Sequence, residues 1–347
     1  MSDMYTRKDI SEEKIELTIT IPKSAFEESY NAMLKDRTKD TDIKGFRKGK
    51  VPTDIVEPSM KPMLQFETFE RLAPMYINTA VQKEKIPLIA PPKYSILPDF
   101  KKAKDLEFKV EITVMPEFKL GNLKKVSVKK EIVKIEEKDV EEVLKELKIK
   151  NETKAKKIGD SWAKEIAKTL GLEKITNLEE LKKMVRDTLK TQKEHMLLHG
   201  YQDDALKQGI ELSGIKIPQT AIEFESQERE RAFEQDMQTR GMKVDDFLKQ
   251  SGLDLKQMRE AWEKDAKEAL ENDVFLNLFA DKKDIKVTQE ELDKKIEEIK
   301  KSQPTTDQSI FSNEEWLEYI KRVERKEKAF KKFIKDTIGE DSLDEHN

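Results

Sequence analysis

The sequence predicts an α+β chain with a small N-terminal α+β domain, an extended linker and a mostly α-helical C-terminal domain. Three observations predict it. Apolar residues alternate with polar ones in two stretches, residues 15–21 and 106–114, as strands with one buried face require. From residue 160 onward the apolar positions instead recur at helical spacing. Charged residues make up 40% of the chain against 36% hydrophobic, which suits thin cores spread along a helix-rich molecule. At 347 residues the chain exceeds one typical domain. The expected boundaries are 1–116, 117–159 and 160–347.

Ile15, Leu17, Ile19 and Ile21 alternate with Glu16, Thr18 and Thr20, and Pro22 closes this first strand. Ser24 with Glu27 reads as a capping box, opening a helix that buries Phe26, Tyr30 and Met33 or Leu34. A basic loop follows at 44–50. Pro52 opens a short helix, and a longer one runs from about Met60 to Glu84 on Leu64, Phe69, Leu72, Tyr76 and Ala80. Proline-rich turns fill 87–98. Leu106, Phe108, Val110, Ile112 and Val114 form the clearest strand, suited to pair with the first.

Residues 117–135 read as extended and charged, and a helix follows at 137–148 on Val140, Val143, Leu144 and Leu147. Lys150 to Asp160 is a polar junction. Beyond it, Asn177 with Glu180 caps a helix, Pro218 opens another, and Leu255, Met258, Trp262 and Ala266 mark a third. Thr288 with Glu291 and Ser312 with Glu315 read as capping boxes of the last two. No fixed-period repeat is present, so the helices are not a regular solenoid.

The net charge of −4 argues against a protein that coats nucleic acid over a broad surface, so any contact with RNA must be local. With no cysteine there are no disulfides, thiolate nucleophiles or Cys-based metal sites, and a reducing compartment is favoured. The first residues carry no apolar core followed by a small-residue cleavage site, and nothing approaches a membrane span. A soluble cytoplasmic protein is the expectation, with no membrane partner.

The local exception to the charge balance is Lys44-Gly45-Phe46-Arg47-Lys48-Gly49-Lys50, four of whose seven residues are cationic. Two glycines permit a tight bend, and Phe46 offers a stacking surface among the cations, a combination suited to structured RNA. Its glycine–lysine pattern resembles a phosphate loop, but one residue is missing between the glycines and Val51 stands where Ser or Thr would bind magnesium. Nucleotide binding is excluded there. His195 and His199 share a helix face but lack a metalloprotease signature, and His346 lies in the tail. They read as exposed helix residues. No constellation for acyl, phosphoryl or hydride transfer emerges, so no catalytic residue, metal or cofactor is expected.

Met196, Met237, Met242 and Met258 lie in the helical part beside Phe233, Phe247 and Phe311. Each alone fits ordinary core filling. As a group on a core-poor scaffold, Met196, Phe233, Met237, Met242, Phe247 and Phe311 are candidates for an adaptable apolar surface.

The run Gly45-Phe46-Arg47-Lys48-Gly49-Lys50-Val51-Pro52 resembles the signature of bacterial trigger factor, the ribosome-associated chaperone. So does the order of strand, helix, basic loop, helices and the strand ending Val114-Met115-Pro116-Glu117. Lys83-Glu84-Lys85-Ile86 before Pro91-Pro92-Lys93-Tyr94 is similar too, as is Gly214-Ile215-Lys216-Ile217-Pro218 between two helices. The resemblance implies that Lys44 to Lys50 dock on protein and rRNA near the ribosomal tunnel exit. It implies a helical domain with arm-like projections that holds nascent and unfolded polypeptides without ATP, and self-association into a homodimer off the ribosome.

One departure matters. Trigger factors usually carry an FKBP-like prolyl isomerase module between the linking helix and the helical domain. Here residues 148–176 fall far below the ~50-residue lower limit of a domain, and Trp162 is their one aromatic. The module is expected to be missing. The rival readings are a prolyl isomerase, as in full-length trigger factors, a periplasmic chaperone and a plain RNA-binding protein.

Overall fold

The computed structural model describes residues 4–40, 52–100, 104–151, 155, 157–172, 174–303 and 308–339. The chain packs as two units, Met1–Glu117 with Lys216–Glu271, and Phe118–Ile215 with Asn272–Asn347.

In the first unit, β1 (Tyr5–Ser11), β2 (Lys14–Ile21), β3 (Lys93–Ile96) and β4 (Leu106–Thr113) form one antiparallel sheet in the order β1-β2-β4-β3. The two alternating stretches pair centrally, with Leu17 opposite Val110 and Ile19 opposite Phe108. This register puts every apolar side chain of both strands on one face. Helices α1 (Lys23–Asp40) and α2 (Thr53–Glu84) supply the rest of that core. Phe69 of α2 meets Phe108 edge-on at 5.0 Å between ring centres. Leu17, Ile19, Leu64 and Phe108 are fully buried. Truncating such a residue to alanine costs about 2–5 kcal/mol, a large share of a domain's net stability.

Three details differ from the sequence reading. Helix α1 begins at Lys23, so Ser24 lies inside it, and the Lys23 backbone N–H donates to Asp105 at 2.9 Å instead. The segments split at Met60 are one helix, α2, despite Pro58, Pro62 and Pro74. Val56, two residues before the first of these prolines, is already buried. The edge strands β1 and β3 are largely exposed, so pairing rather than a buried apolar stripe makes them strands.

The first unit also contains α6 (Gln219–Thr239), α7 (Val244–Ser251) and residues 255–271 of α8 (Leu255–Lys282). Arg259 of α8 forks onto Glu230 of α6 at 2.9–3.0 Å, and Gln219 donates to Glu263 at 2.7 Å.

In the second unit, α3 (Glu137–Lys150), α4 (Asp160–Thr169) and the N-terminal part of α5 (Leu178–Leu212) enclose a small core. Val140, Leu144, Trp162, Ala163, Ile166, Leu181 and Val185 are its buried members. Asn177 caps α5 by accepting from the Glu180 N–H at 2.9 Å, as its position predicts. Asp160 accepts from the Leu178 N–H at 2.9 Å, tying the start of α4 to the same helix end.

The stretch 118–135 has no regular structure beyond a single 3-10 turn at Leu123–Lys125, yet it is laced along α5. The Gly121 N–H donates to Ser213 Oγ at 3.0 Å. Gln208 accepts from the Ser127 N–H at 2.9 Å and donates to its carbonyl at 3.1 Å, so one side-chain amide imitates a strand partner. Further along, the Glu131 N–H donates to the Tyr201 hydroxyl, and Lys193 donates to the Lys134 carbonyl at 3.4 Å. The extended reading was right about the backbone. The partners of that backbone are what the sequence concealed.

Helix α9 (Gln289–Ser302) and helix α10 (Glu314–Ile338) pack through Leu292, Ile296 and Ile320. Thr288 and Glu291 form the expected capping box. At α10 the cap is Asn313, which accepts from the Trp316 N–H at 3.0 Å, one residue beyond the predicted Ser312. Phe275 and Phe279 of α8 meet Phe333 of α10 edge-on at 5.0 and 5.6 Å.

Candidate functional site

The basic loop, Lys44, Gly45, Phe46, Arg47, Lys48, Gly49 and Lys50, lies outside the described residues. The helices on either side of it are described, and they are fastened to each other. Arg37 near the end of α1 forks onto Glu67 of α2 at 3.0 and 3.1 Å, and Tyr30 donates to Glu57 at 3.2 Å. Burial, followed by the nearby Glu57 carboxylate, pushes the Tyr30 hydroxyl up to about 12, so it stays a donor at neutral pH. The C-terminal end of α1 is therefore clasped by a charge-assisted pair to the middle of α2, and the middle of α1 to the first turns of α2.

The six apolar candidates separate by environment. Met196 on α5 is 74% exposed. Phe233 of α6 lies 5.5 Å from both Phe247 of α7 and Trp262 of α8, and all three are only half-buried. Met242 follows the turn at Gly241 and is half-buried as well. Met237 is 5% exposed and packs as a core residue. Phe311 stacks edge-on with Trp316 at 5.2 Å and joins the α9–α10 core, with the Lys300 ammonium 5.1 Å above its ring.

Sequence reasoning missed part of the exposed apolar surface. Ile55, Met63, Phe66 and Met75 of α2 are exposed, as are Tyr94 and Ile96 of β3 and Leu97 beyond it. A signal was present in α2, where apolar residues occur outside the stripe that faces the sheet. Among the described residues, no group of three or more His, Cys, Asp or Glu is placed to hold a metal ion. None of the described helices is long and apolar enough to cross a membrane.

Residues 4–147 match the family model described as bacterial trigger factor protein, and residues 177–335 the model described as bacterial trigger factor protein C-terminus. The trigger factor of Halothermothrix orenii is 24% identical over 386 residues, spanning 85% of this chain and 89% of the relative. That of Natranaerobius thermophilus is 33% identical over 143 residues, 41% of this chain and 32% of the relative. A solved structure of the trigger factor chaperone covers 96% of this chain and 100% of its own, with a TM-score of 0.53 and 17% identity, which shows a shared fold.

The Halothermothrix alignment is longer than this whole chain. On the order of 90 of its positions therefore have no counterpart here, which is the size of a small domain. The two matched segments leave 148–176 between them, where α4 and the start of its partner core lie. The ordered presence of both matched segments, on a fold shared with a solved member, means that the chain belongs to the bacterial trigger factor family.

Proposed function

We propose that this protein is an ATP-independent chaperone that docks at the ribosomal tunnel exit and shields nascent or unfolded polypeptides, without prolyl isomerase activity. The observation that carries the reading is that both family segments are present in order around a connection too short for a further domain. Docking falls to Lys44, Gly45, Phe46, Arg47, Lys48, Gly49 and Lys50 in residues 1–116, with ribosomal protein and rRNA as the partners. Client capture falls to exposed and half-buried apolar groups of 160–347. Phe233, Phe247 and Met242 of the first unit are foremost, Met196 and Phe311 of the second are further candidates, and Trp262 extends the cluster that Phe233 and Phe247 form. Met237 supports that surface from within. A cytoplasmic location and a homodimer off the ribosome complete the proposal.

Weak, non-directional apolar contact suits such a task, because a client must be held without being selected for sequence and must then leave. The charged faces around it keep the free protein soluble. The isomerase reading is not favoured. Trp162, the one aromatic of 148–176, is fully buried between α3, α4 and α5 and cannot line a proline pocket.

Two assays on the purified chain test the reading together. Light scattering of a chemically unfolded client on dilution is expected to fall with added chaperone and no nucleotide, while a proline-limited refolding reaction is expected to keep its uncatalysed rate. Undiminished scattering would remove the holding activity. Strong acceleration of the slow phase would restore the isomerase.

A further inference from the structure

We propose that His195 and His199 of α5 form a two-imidazole chelate for a late divalent transition-metal ion such as Ni²⁺, a site independent of the chaperone reading. Their rings stand 4.4 Å apart between centres with an interplanar angle of 80°. The i,i+4 spacing thus holds both rings within one helical turn, and rotation about their side-chain torsions brings one nitrogen of each onto a shared ion at ~2.1 Å. Both residues are exposed and accessible to an ion from solvent.

The helix beneath them is fixed. Asn177 caps its start, and Lys193 and Tyr201 tie the same stretch to residues 131–134. At 100° per residue, His195 and His199 lie about half a turn around α5 from Lys193 and Tyr201, clear of the laced face. The spacing of the two residues is thus set by a held backbone, and chelation has only their own side-chain torsions to order.

The donor type fixes the class of ion. Imidazole suits nickel, copper and zinc, while magnesium and calcium require oxygen ligands. With no cysteine in the chain and no third protein donor grouped with the pair among the described residues, water completes the coordination. The site is therefore weaker than a structural zinc site and reversible. An ion spanning one helical turn binds the native helix more tightly than the separate imidazoles of the unfolded chain, so it also stabilises the protein.

The test is calorimetric titration of the full chain with NiCl₂, paired with thermal unfolding. The wild type is expected to show one saturable site and a rise in midpoint with added Ni²⁺. Each of His195→Asn and His199→Asn is expected to weaken that site at least about tenfold, because the second imidazole binds intramolecularly only while the first is present. His346→Asn is expected to leave it unchanged. Adding Thr191→His to His199→Asn restores an i,i+4 pair one turn earlier and is expected to restore binding. The proposal is overturned if the wild type binds Ni²⁺ no better than His195→Asn/His199→Asn, if His346→Asn removes the site, or if the relocated pair fails to restore it.

Discussion

Two glycines of α5 carry opposite expectations. Gly200 has nothing within 4 Å of the position a Cβ would take, whereas at Gly209 that atom would lie 2.6 Å from the ring of Phe275. Replacing an interior helical glycine with alanine gains about 0.8–1 kcal/mol of helix propensity. At Gly200 nothing opposes the gain, so Gly200→Ala is expected to raise the denaturant midpoint. At Gly209 the ring cannot yield, because Phe275 is fully buried and held by Phe279 and Phe333. Overpacking of this kind costs about 1–3 kcal/mol and outweighs the propensity gain. Gly209→Ala is therefore expected to lower the midpoint, and equal shifts in the two variants would contradict the packing described. Neither role is legible in the sequence, where both read simply as glycines in a helix. The close approach of a second helix decides between them, and it comes from residues more than sixty positions away.

Elements were legible where burial imposes a period and obscure where pairing or side chains do the holding. Strands β2 and β4, the Asn177 cap and the Thr288–Glu291 box follow from local pattern. Strand β1 did not, since its charged residues face solvent and its backbone is completed by β2. The lacing of 118–135 was hidden for the same reason, because Gln208 and Tyr201 have no pattern that announces a backbone partner. Helix α10 shows how electrostatics joins such elements. Lys328 donates to both oxygens of Glu291 at 2.7 and 2.8 Å, and the Thr288 N–H donates to the same carboxylate at 2.8 Å. Lys328 first, then the Thr288 backbone, hold Glu291 down to about 2 from its ordinary 4.5. A carboxylate lowered on folding contributes stability that is present above its unfolded value and lost as pH falls toward the folded one. The midpoint gap between the wild type and Glu291→Gln is accordingly expected to close between pH 4.5 and 2. A gap that stays constant through that window would show that the Glu291–Lys328 contact does not tie α9 to α10.

For the molecule as a whole, the N-terminal α+β part and the helical remainder were readable from period and order, and the family from one basic run and its flanks. The candidate surface was only partly readable. Apolar residues at helical spacing look alike whether they fill a core, as Met237 does, or stand in solvent, as Met196 does. What separates them is the neighbouring helix, which one sequence does not display. The division of labour is the central claim, with docking in Phe46, Arg47 and Lys48 and client holding elsewhere. One comparison tests it most directly, namely co-sedimentation with ribosomes and suppression of client aggregation by Phe46→Ala/Arg47→Ala/Lys48→Ala beside the wild type. The expected result is loss of co-sedimentation with aggregation suppression intact and an unchanged circular dichroism spectrum. Retained co-sedimentation, or suppression lost together with it, would contradict the account.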